Sequence, residues 1–248
     1  MSGYTSPLVL AEIKAIRERL TELEVLDSSA GLVLDSIVAQ VEVSRSPKKW
    51  HFTIPQERPL RFRRSTTSDS RDVKFDTTVD ISGVFPAPKE GRPADGHSVV
   101  VRIWTPDESV WFVESLDANC IHREIDPAMG RVMHRFHFDA ASSAREPWSH
   151  FHIGGSRREG KEQFRFPEDQ TLPRFFHHPM GLIQTCEFVL YHFFPMVHDS
   201  VAEEDSWAIA LRASEDAYLG KYLERLHELT RQGRGSESFH SFCCTAPS

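Results

Sequence analysis

The sequence lacks the short motifs that mark several large enzyme classes. It has no G-x-x-x-x-G-K-[ST] phosphate loop, no G-x-G-x-x-G dinucleotide fingerprint and no G-x-S-x-G nucleophile elbow. Each motif places backbone amides or a nucleophile where the chemistry requires them, so its absence argues against the enzymes that depend on it. P-loop nucleotide triphosphatases, Rossmann oxidoreductases and α/β-hydrolases are therefore disfavoured.

Cysteine is scarce, with four residues among 248, and none belongs to a C-x-x-C pair. Cys120 and Cys186 are isolated, whereas Cys243 and Cys244 are adjacent within a polar tail. Scattered cysteines in a chain of this length are typical of a reduced, intracellular protein rather than a disulfide-bonded one. The adjacent pair leaves three interpretations open: a soft-metal site, a redox disulfide, or part of an unstructured tail.

Long apolar runs and an excess of positive charge are also missing. The most hydrophobic segment, 179–197, is interrupted by Gln184, Glu187 and His192 and is short for a membrane span. The N-terminus shows no basic stretch followed by an apolar run, as a secretory signal would. The net charge of −7 disfavours nonspecific coating of nucleic acid, although the arginine-rich segment 58–74 allows a local basic patch or a charged strand edge. We therefore expect a soluble, cytoplasmic protein with no membrane partner.

Two amphipathic helices are predicted near the N-terminus. Ser6 and Pro7 form a favourable helix start, because serine can cap first-turn amides and proline suits the first helical position. Apolar residues then recur three or four positions apart, as on one face of a helix. They are Val9, Ile13, Ile16, Leu20 and Leu23. A second helix, capped by Asp27 or Ser28, completes a helical hairpin whose apolar stripe must be covered by the rest of the protein or by a partner chain.

Beyond the hairpin, apolar residues alternate with polar ones, which is typical of β-strands. The clearest strand is 73–85, in which Val79 and Ile81 take one face and Asp80 and Ser82 the other. Further strands are predicted at 59–64, 97–106, 109–115, 131–139 and 148–154. Short polar turns between them favour an antiparallel meander with one wet face.

The last third of the chain is predicted to be helical. A buried helix at 180–194 follows the HHPMG segment and is bounded by prolines, and an amphipathic helix begins near Asp205 or Ser206. Helices segregated from consecutive antiparallel strands define the α+β class. We predict one domain, in which the N-terminal helical hairpin (1–46) packs on an α+β body (47–232), followed by a disordered tail (233–248).

Histidines cluster on two of the predicted strands. Arg135, His137 and Asp139 alternate with apolar residues on one strand, and His150 and His152 do so on the next. If the strands pair as a hairpin, matching their apolar sides puts all five polar residues on one sheet face. The pattern favours His137 opposite His150 and Arg135 opposite His152, and a slip of two residues would keep the faces while changing the partners.

This histidine-rich face has three candidate roles. Its imidazoles and carboxylate could hold zinc or manganese. Together with the arginine they could instead bind a phosphate and supply acid/base groups. They could also be solvated or purely structural. Arg174, His177 and His178 extend the candidate ligand-binding set, because they precede the buried helix, whose free N-terminal amides favour an anion.

The ordered segments HRFHFD, EPWSHFHIGG and LPRFFHHPMGLIQTCEFVLYHFFP resemble a group of poorly characterised bacterial accessory proteins of mobile-element, toxin–antitoxin or phage-defence loci. In that group a strand ending in Phe-Asp precedes a proline-flanked H-x-H-x-G strand, and a basic segment then leads into an apolar helix ending in Phe-Pro. The resemblance covers about 131–195 and implies no particular activity. It supports His150, Asp139 and Arg174 as site residues more than His152.

Two functional hypotheses follow. In the first, the protein is a non-enzymatic binding or regulatory component of a bacterial phage-defence or toxin–antitoxin system, whose helical hairpin contacts a protein partner or a second copy. Its histidine-rich face is then structural or binds an anionic ligand. In the second, the protein is a nuclease or phosphoesterase acting on RNA, DNA or a nucleotide. There His137 and His150 form the acid/base pair, Arg135 and Arg174 bind phosphate, and a metal is optional.

Overall fold

The computed structural model describes residues 6–43, 50–68, 74–88, 96–105, 125–126, 130–140, 149–153 and 175–232. Within these ranges, helices pack against a mostly antiparallel sheet, and the predicted α+β class is confirmed. The strands are β1 (His51–Ile54), β2 (Leu60–Ser68), β3 (Lys74–Pro86), β4 (Ser98–Thr105), β5 (Ile125–Asp126), β6 (Gly130–Ala140), β7 (Ser149–Ile153) and β8 (Phe175–Phe176).

The helices flank the strands in sequence. They are α1 (Ser6–Glu22), α2 (Ala30–Val43), α3 (Leu182–Phe193), α4 (Pro195–Ala202), α5 (Asp205–Glu215) and α6 (Lys221–Arg231), with a π-helical turn (Asp216–Gly220) between the last two. None of these described helices is both long and apolar enough to cross a membrane.

The described strands form one sheet in which neighbouring strands are antiparallel. Strand β3 has β1 and β2 end to end along one side and β4 along the other. The sheet then continues through β6 and β7 to β8, and β5 pairs with the beginning of β6. Strands that are distant in sequence therefore contribute to one continuous pair of faces.

The predicted helical hairpin is present as α1 and α2. The carboxylate of Asp27 in the linker accepts a hydrogen bond from the amide of Ser29 at 2.7 Å, and this bond lowers the pKa of Asp27. Arg17 of α1 forms an ion pair with Asp35 of α2 across the hairpin. The linker is thus held by the same side chain that was predicted to cap the second helix.

The apolar stripe of α1 is covered by other helices of the same chain. Val9, Ile13, Ile16 and Leu20 are buried in the core, and α1 contacts both α3 and α5. Of the two covers predicted for this stripe, the structure shows the rest of the protein, so these four residues offer no docking surface to a partner. Leu23, at the end of the stripe, is 39% exposed. A partner of the hairpin would have to contact its outer side, where Leu32 is 76% exposed.

The apolar face of the sheet belongs to the same core. Val79 and Ile81 of β3 are fully buried, as the alternation predicts. Phe136 and Phe138 of β6 contact the ring of Phe188 in α3, with centroid distances of 5.5 and 5.3 Å. Because side chains alternate between faces along a strand, α3 lies on the side opposite to the polar residues of β6.

We call the opposite side of the sheet the polar face. Its register positions include Arg61, Asp80, Ser82, Arg102, Trp104, Arg135, His137, Asp139, His150 and His152. The prediction that this side is wet is wrong for its centre, because Asp80, Arg102, His137 and His150 are buried. The turn after β1 contributes to this environment, since the carbonyl oxygen of Gln56 accepts a hydrogen bond from Arg102 at 3.3 Å. Protein groups therefore replace much of the water around these charges.

The β6–β7 hairpin has the predicted faces but a different register. His137 lies opposite His152, and Asp139 lies opposite His150. The predicted partners, His137 with His150 and Arg135 with His152, are therefore wrong by a slip of two residues. All five polar residues nevertheless occupy register positions on one face, because a two-residue slip preserves the alternation.

Apolar pairing explains the observed register. Phe138 lies opposite Phe151, with ring centroids 6.0 Å apart, and Phe136 lies opposite Ile153. The predicted register would instead have placed Phe138 opposite Ser149. Direct cross-strand contact between apolar side chains stabilises a sheet, so the observed pairing is the more favourable one.

The outer edge of β1 and β2 is covered by the helical hairpin. In the linker 25–27, the carbonyl of Val25 accepts a hydrogen bond from the amide of Arg63 at 2.6 Å. The side-chain amide of Gln40 in α2 bonds to both backbone polar groups of Thr53, at 2.9 and 3.1 Å. Open strand edges promote association between chains, and these contacts occupy part of this edge.

The C-terminal region contains more helices than predicted. The predicted buried helix is α3, but the chain turns at Pro195 into α4, and the single predicted last helix comprises α5, the π-helical turn and α6. Glu187 of α3 joins these elements. Its carboxylate contacts Nε2 of His198 at 2.7 Å and accepts a hydrogen bond from the indole of Trp207 at 2.8 Å.

Some predicted features lie outside the described residues. They are the strand at 109–115, Arg174, Cys120, Cys243, Cys244 and the tail 233–248.

Candidate functional site

Four charged residues form a row across the polar face. Register pairs Arg61 with Asp80, Asp80 with Arg102, and Arg102 with Arg135. Residues directly opposite each other in antiparallel strands have Cα atoms about 5 Å apart. Like charges in such positions are unfavourable unless a negative charge compensates them. The described residues of this row are thus three arginines and one aspartate.

Asp80 compensates Arg102 within the sheet. Nε of Arg102 donates to one carboxylate oxygen of Asp80, and the indole N–H of Trp104 donates to the other, both at 2.8 Å. The guanidinium also lies 5.3 Å from the centroid of the Trp104 ring, within cation–π distance. Burial raises the pKa of Asp80, and Arg102 and Trp104 oppose that shift. The three side chains form a buried structural anchor, whose disruption would leave an uncompensated charge.

The predicted histidines lie further along β6 and β7. His137 is 8% exposed and His150 is 2% exposed, whereas Arg135 and Asp139 are half-buried. Together with the register position of His152, these residues make one patch on the polar face. The structure thus brings the predicted strand positions together, and the imidazoles of His137 and His150 have little contact with solvent.

His177 lies on the other side of the sheet. Its ring contacts those of Phe138 and Phe151, with centroid distances of 5.1 and 5.7 Å, and both phenylalanines belong to the apolar face. His178 stacks on His177 at 4.4 Å. The predicted ligand-binding set is therefore divided between two faces, and Arg174 falls outside the described residues.

His177 and His178 instead neighbour His97, a residue that the sequence patterns did not single out. Nε2 of His97 lies 2.9 Å from the carbonyl oxygen of Met180, and the carbonyl of His97 accepts from the amide of Ala140 at 2.8 Å. His97 immediately precedes β4, so only the pairing of distant strands brings it here. No local pattern in the sequence indicates this position.

Burial lowers the pKa of each of these three histidines. His178 shifts from the ordinary value of 6.5 to about 4, because desolvation is reinforced by the neighbouring His177 and His97. Desolvation also lowers the pKa of His177, with the carbonyl of His178 opposing the shift. For His97 desolvation again dominates, and the carbonyl of Met180 and the carboxylate of Asp139 oppose it. All three imidazoles are therefore favoured in their neutral form at neutral pH.

The N-terminus of α3 is occupied by groups of the chain itself, contrary to the expectation of an anion site. The amide of Gly181 donates to Oε1 of Gln184 at 2.8 Å, and the hydroxyl of Ser214 donates to the same oxygen at 3.2 Å. A methyl group added to Gly181 would lie 3.2 Å from a carboxylate oxygen of the buried Glu12. The carboxylate of Glu12 thus lies beside the first turn of α3, where a negative charge complements the helix dipole and disfavours an additional anion.

No metal centre is apparent within the described part of the chain. There, no group of three histidine, cysteine, aspartate or glutamate side chains is arranged to hold an ion. A zinc site requires three or four such ligands. The described side chains therefore give no support to a zinc or manganese site at the polar face. The side chain of His152 is not among those described.

Comparison with known proteins gives no match: no family model, no curated protein and no solved structure is similar to this chain. The resemblance of the segment 131–195 therefore stays a prediction, and the structural observation that bears on function is the chemistry of the polar face.

Proposed function

We propose that this protein is a non-enzymatic binding or regulatory component of a bacterial phage-defence or toxin–antitoxin system, and that its polar face binds a phosphate-bearing ligand. The position of Arg135 carries the ligand part of the proposal. Its side chain is half-buried on the polar face, in the same row as Arg61 and Arg102, and its strand also bears His137. Several donors that can bind an anion therefore share one face. The biological setting rests on the resemblance of 131–195 alone.

Phosphate suits the donors of this face. Guanidinium groups bind phosphate oxygens through paired, charge-assisted hydrogen bonds, and imidazoles add further donors when protonated. Arg135 and Asp139 are only half-buried, whereas His137 and His150 are almost fully buried. We therefore place the point of ligand contact at Arg135, with the buried histidines supporting the strand that carries it.

The alternative function, a nuclease or phosphoesterase, is less well supported by the same residues. An acid/base group must come within about 3 Å of the reacting atom, directly or through one water. The low exposure of His137 and His150 disfavours such an approach. Their cross-strand partners, His152 and Asp139, are compatible with a structural network. Burial therefore favours binding over catalysis.

Isothermal titration calorimetry tests the proposal with inorganic pyrophosphate and a short single-stranded RNA as probes. Arg135→Gln should weaken binding about tenfold or more, because a hydrogen bond to a charged group contributes roughly 1.5–3 kcal/mol. Arg212→Gln is the matched control, since it removes the same charge from an exposed position of α5. The control should change the affinity by less than about twofold.

Three outcomes would contradict the proposal. The first is the absence of binding of both probes, and the second is equal weakening by Arg135→Gln and Arg212→Gln. The third is hydrolysis of the RNA probe that is lost in His150→Ala and retained in His227→Ala, where the latter variant removes an exposed histidine of α6. That result would support the hydrolase instead.

A further inference from the structure

The cluster of His97, His177 and His178 joins three parts of the fold that are distant in sequence. His97 precedes β4, and its ring contacts the carbonyl oxygen of Met180, just before α3. The backbone amide of His177 donates to the carbonyl of Ser149 at 3.2 Å, which extends the pairing of β8 with β7. The cluster therefore lies where the sheet is attached to the segment that leads into α3.

The surroundings of these imidazoles are largely aromatic. His177 contacts the rings of Phe138 and Phe151, and the rings of His97 and Phe85 are nearly perpendicular at a centroid distance of 6.2 Å. His177 and His178 are nearly parallel, with an interplanar angle of 17°. Aromatic rings provide little solvation for a second proton on each imidazole, and two stacked imidazolium ions would repel each other.

We propose that His97, His177 and His178 form a proton-sensitive clasp, which holds β8 and the start of α3 against β7 at neutral pH and releases them in mildly acidic solution. In the neutral state, Nδ1 of His177 donates to the carbonyl of His178 at 2.6 Å, and Nε2 of His97 donates to that of Met180. Each bond needs only one ring proton. Release exposes the rings to water, where they can accept the second proton.

Among the described groups around the clasp, potential positive charges outnumber negative ones. Asp139 at the end of β6 attracts a proton to His97, whereas the three histidines repel one another's charges. Glu12 of α1 lies beside Gly181, beyond the clasp at the first turn of α3. Among the described groups that face the clasp, one nearby carboxylate therefore opposes three potential positive charges.

The sign of the pH effect follows from the lowered pKa values. Between the ordinary value of 6.5 and the value of about 4 for His178, the folded protein binds fewer protons than the opened one. The clasp is therefore fully stable above pH 6.5 and loses stability as the pH falls through this window. Release of β8 would uncover the outer edge of β7, the strand that bears His150 and His152 at polar-face positions. An effect of this opening on ligand binding rests on the proposed function, whereas the opening itself needs no ligand.

Hydrogen exchange of the full chain, followed by mass spectrometry at pH 7.5 and pH 5.0 and corrected for intrinsic rates, tests the clasp without ligand. Peptides covering 149–153 and 175–181 should lose protection at the lower pH while α1 and α5 keep theirs. Unchanged protection of the two peptides, or loss only together with α1 and α5, would overturn the proposal. The outcome is independent of whether the polar face binds phosphate.

His178→Gln provides a second measurement. It removes the imidazole whose pKa is lowered to about 4 and should move the midpoint of the exchange change to lower pH by about half a unit or more. His227→Gln, at an exposed position of α6, is the control and should leave the midpoint in place. Equal midpoints in the two variants would contradict the clasp. If His178→Gln fails to fold, the exchange pattern of the unmodified protein decides.

Discussion

At the scale of single residues, one ion pair explains how the polar face tolerates burial. Arg102 and Asp80 are almost inaccessible to solvent, and isolated charges in that position would be strongly unfavourable. The carboxylate accepts from both Arg102 and Trp104, so both of its oxygens have donors. The pair thus fixes the relative positions of β3 and β4 beneath the proposed ligand.

Asp80→Asn tests this role. The substitution keeps the shape of the side chain but removes the negative charge that Asp80 presents to the buried guanidinium of Arg102, and we expect a loss of about 3–5 kcal/mol in the free energy of unfolding. Urea denaturation monitored by circular dichroism measures the loss. Asp35→Asn is the control, because it breaks the exposed ion pair with Arg17 and should cost about 1 kcal/mol or less. Equal losses in the two variants would show that Asp80 is not an anchor.

At the scale of elements, the alternation of residues was sufficient to predict the sheet faces. The period of two placed Val79 and Ile81 on the apolar side and His137 and His150 on the polar side, as observed. Alternation is local, however, and cannot determine register. The pairing of Phe138 with Phe151 depends on a comparison of competing cross-strand contacts.

Other features depend on contacts between distant segments. The charge row requires the pairing of four strands, so no local pattern indicates that Arg102 and Arg135 meet. His97 reaches His177 only after the sheet has formed. The short strands β5 and β8 have two residues each, too few for a periodic pattern. The sequence therefore predicted which residues share the polar face. It did not predict that this face is buried or that His177 and His178 lie on the other side of the sheet.

Gln40 offers a test of how α2 protects the sheet edge. Gln40→Ala removes both side-chain hydrogen bonds to the backbone of Thr53, and we expect a loss of about 1–3 kcal/mol in the free energy of unfolding. The freed edge should also increase association at high protein concentration, which light scattering after gel filtration would detect. Gln232→Ala, at an exposed residue after α6, should change neither property. A monomeric variant of unchanged stability would contradict edge protection.

At the scale of the whole molecule, the central question is whether the helical hairpin and the α+β body unfold together. The α1 stripe is buried against α3 and α5, and the hairpin linker pairs with β2. Separate unfolding would expose both the stripe and a strand edge to water. The large apolar surface shared by hairpin and body favours the predicted single domain, and cooperative unfolding is the corresponding expectation.

Ile16→Ala tests this expectation. The side chain is fully buried, so its truncation should lower the free energy of unfolding by about 2–5 kcal/mol. All five tryptophans lie at residue 50 or later, outside the hairpin, so their fluorescence reports on the body, whereas circular dichroism reports on all helices. The two urea transitions should coincide and shift together, while Leu32→Ala, at an exposed position of α2, should shift them by only about 0.5 kcal/mol or less.

An early transition seen by circular dichroism but not by fluorescence would mean that the hairpin unfolds alone. In that case its stripe would become available to a partner, and the docking hypothesis would apply to the opened form of the protein.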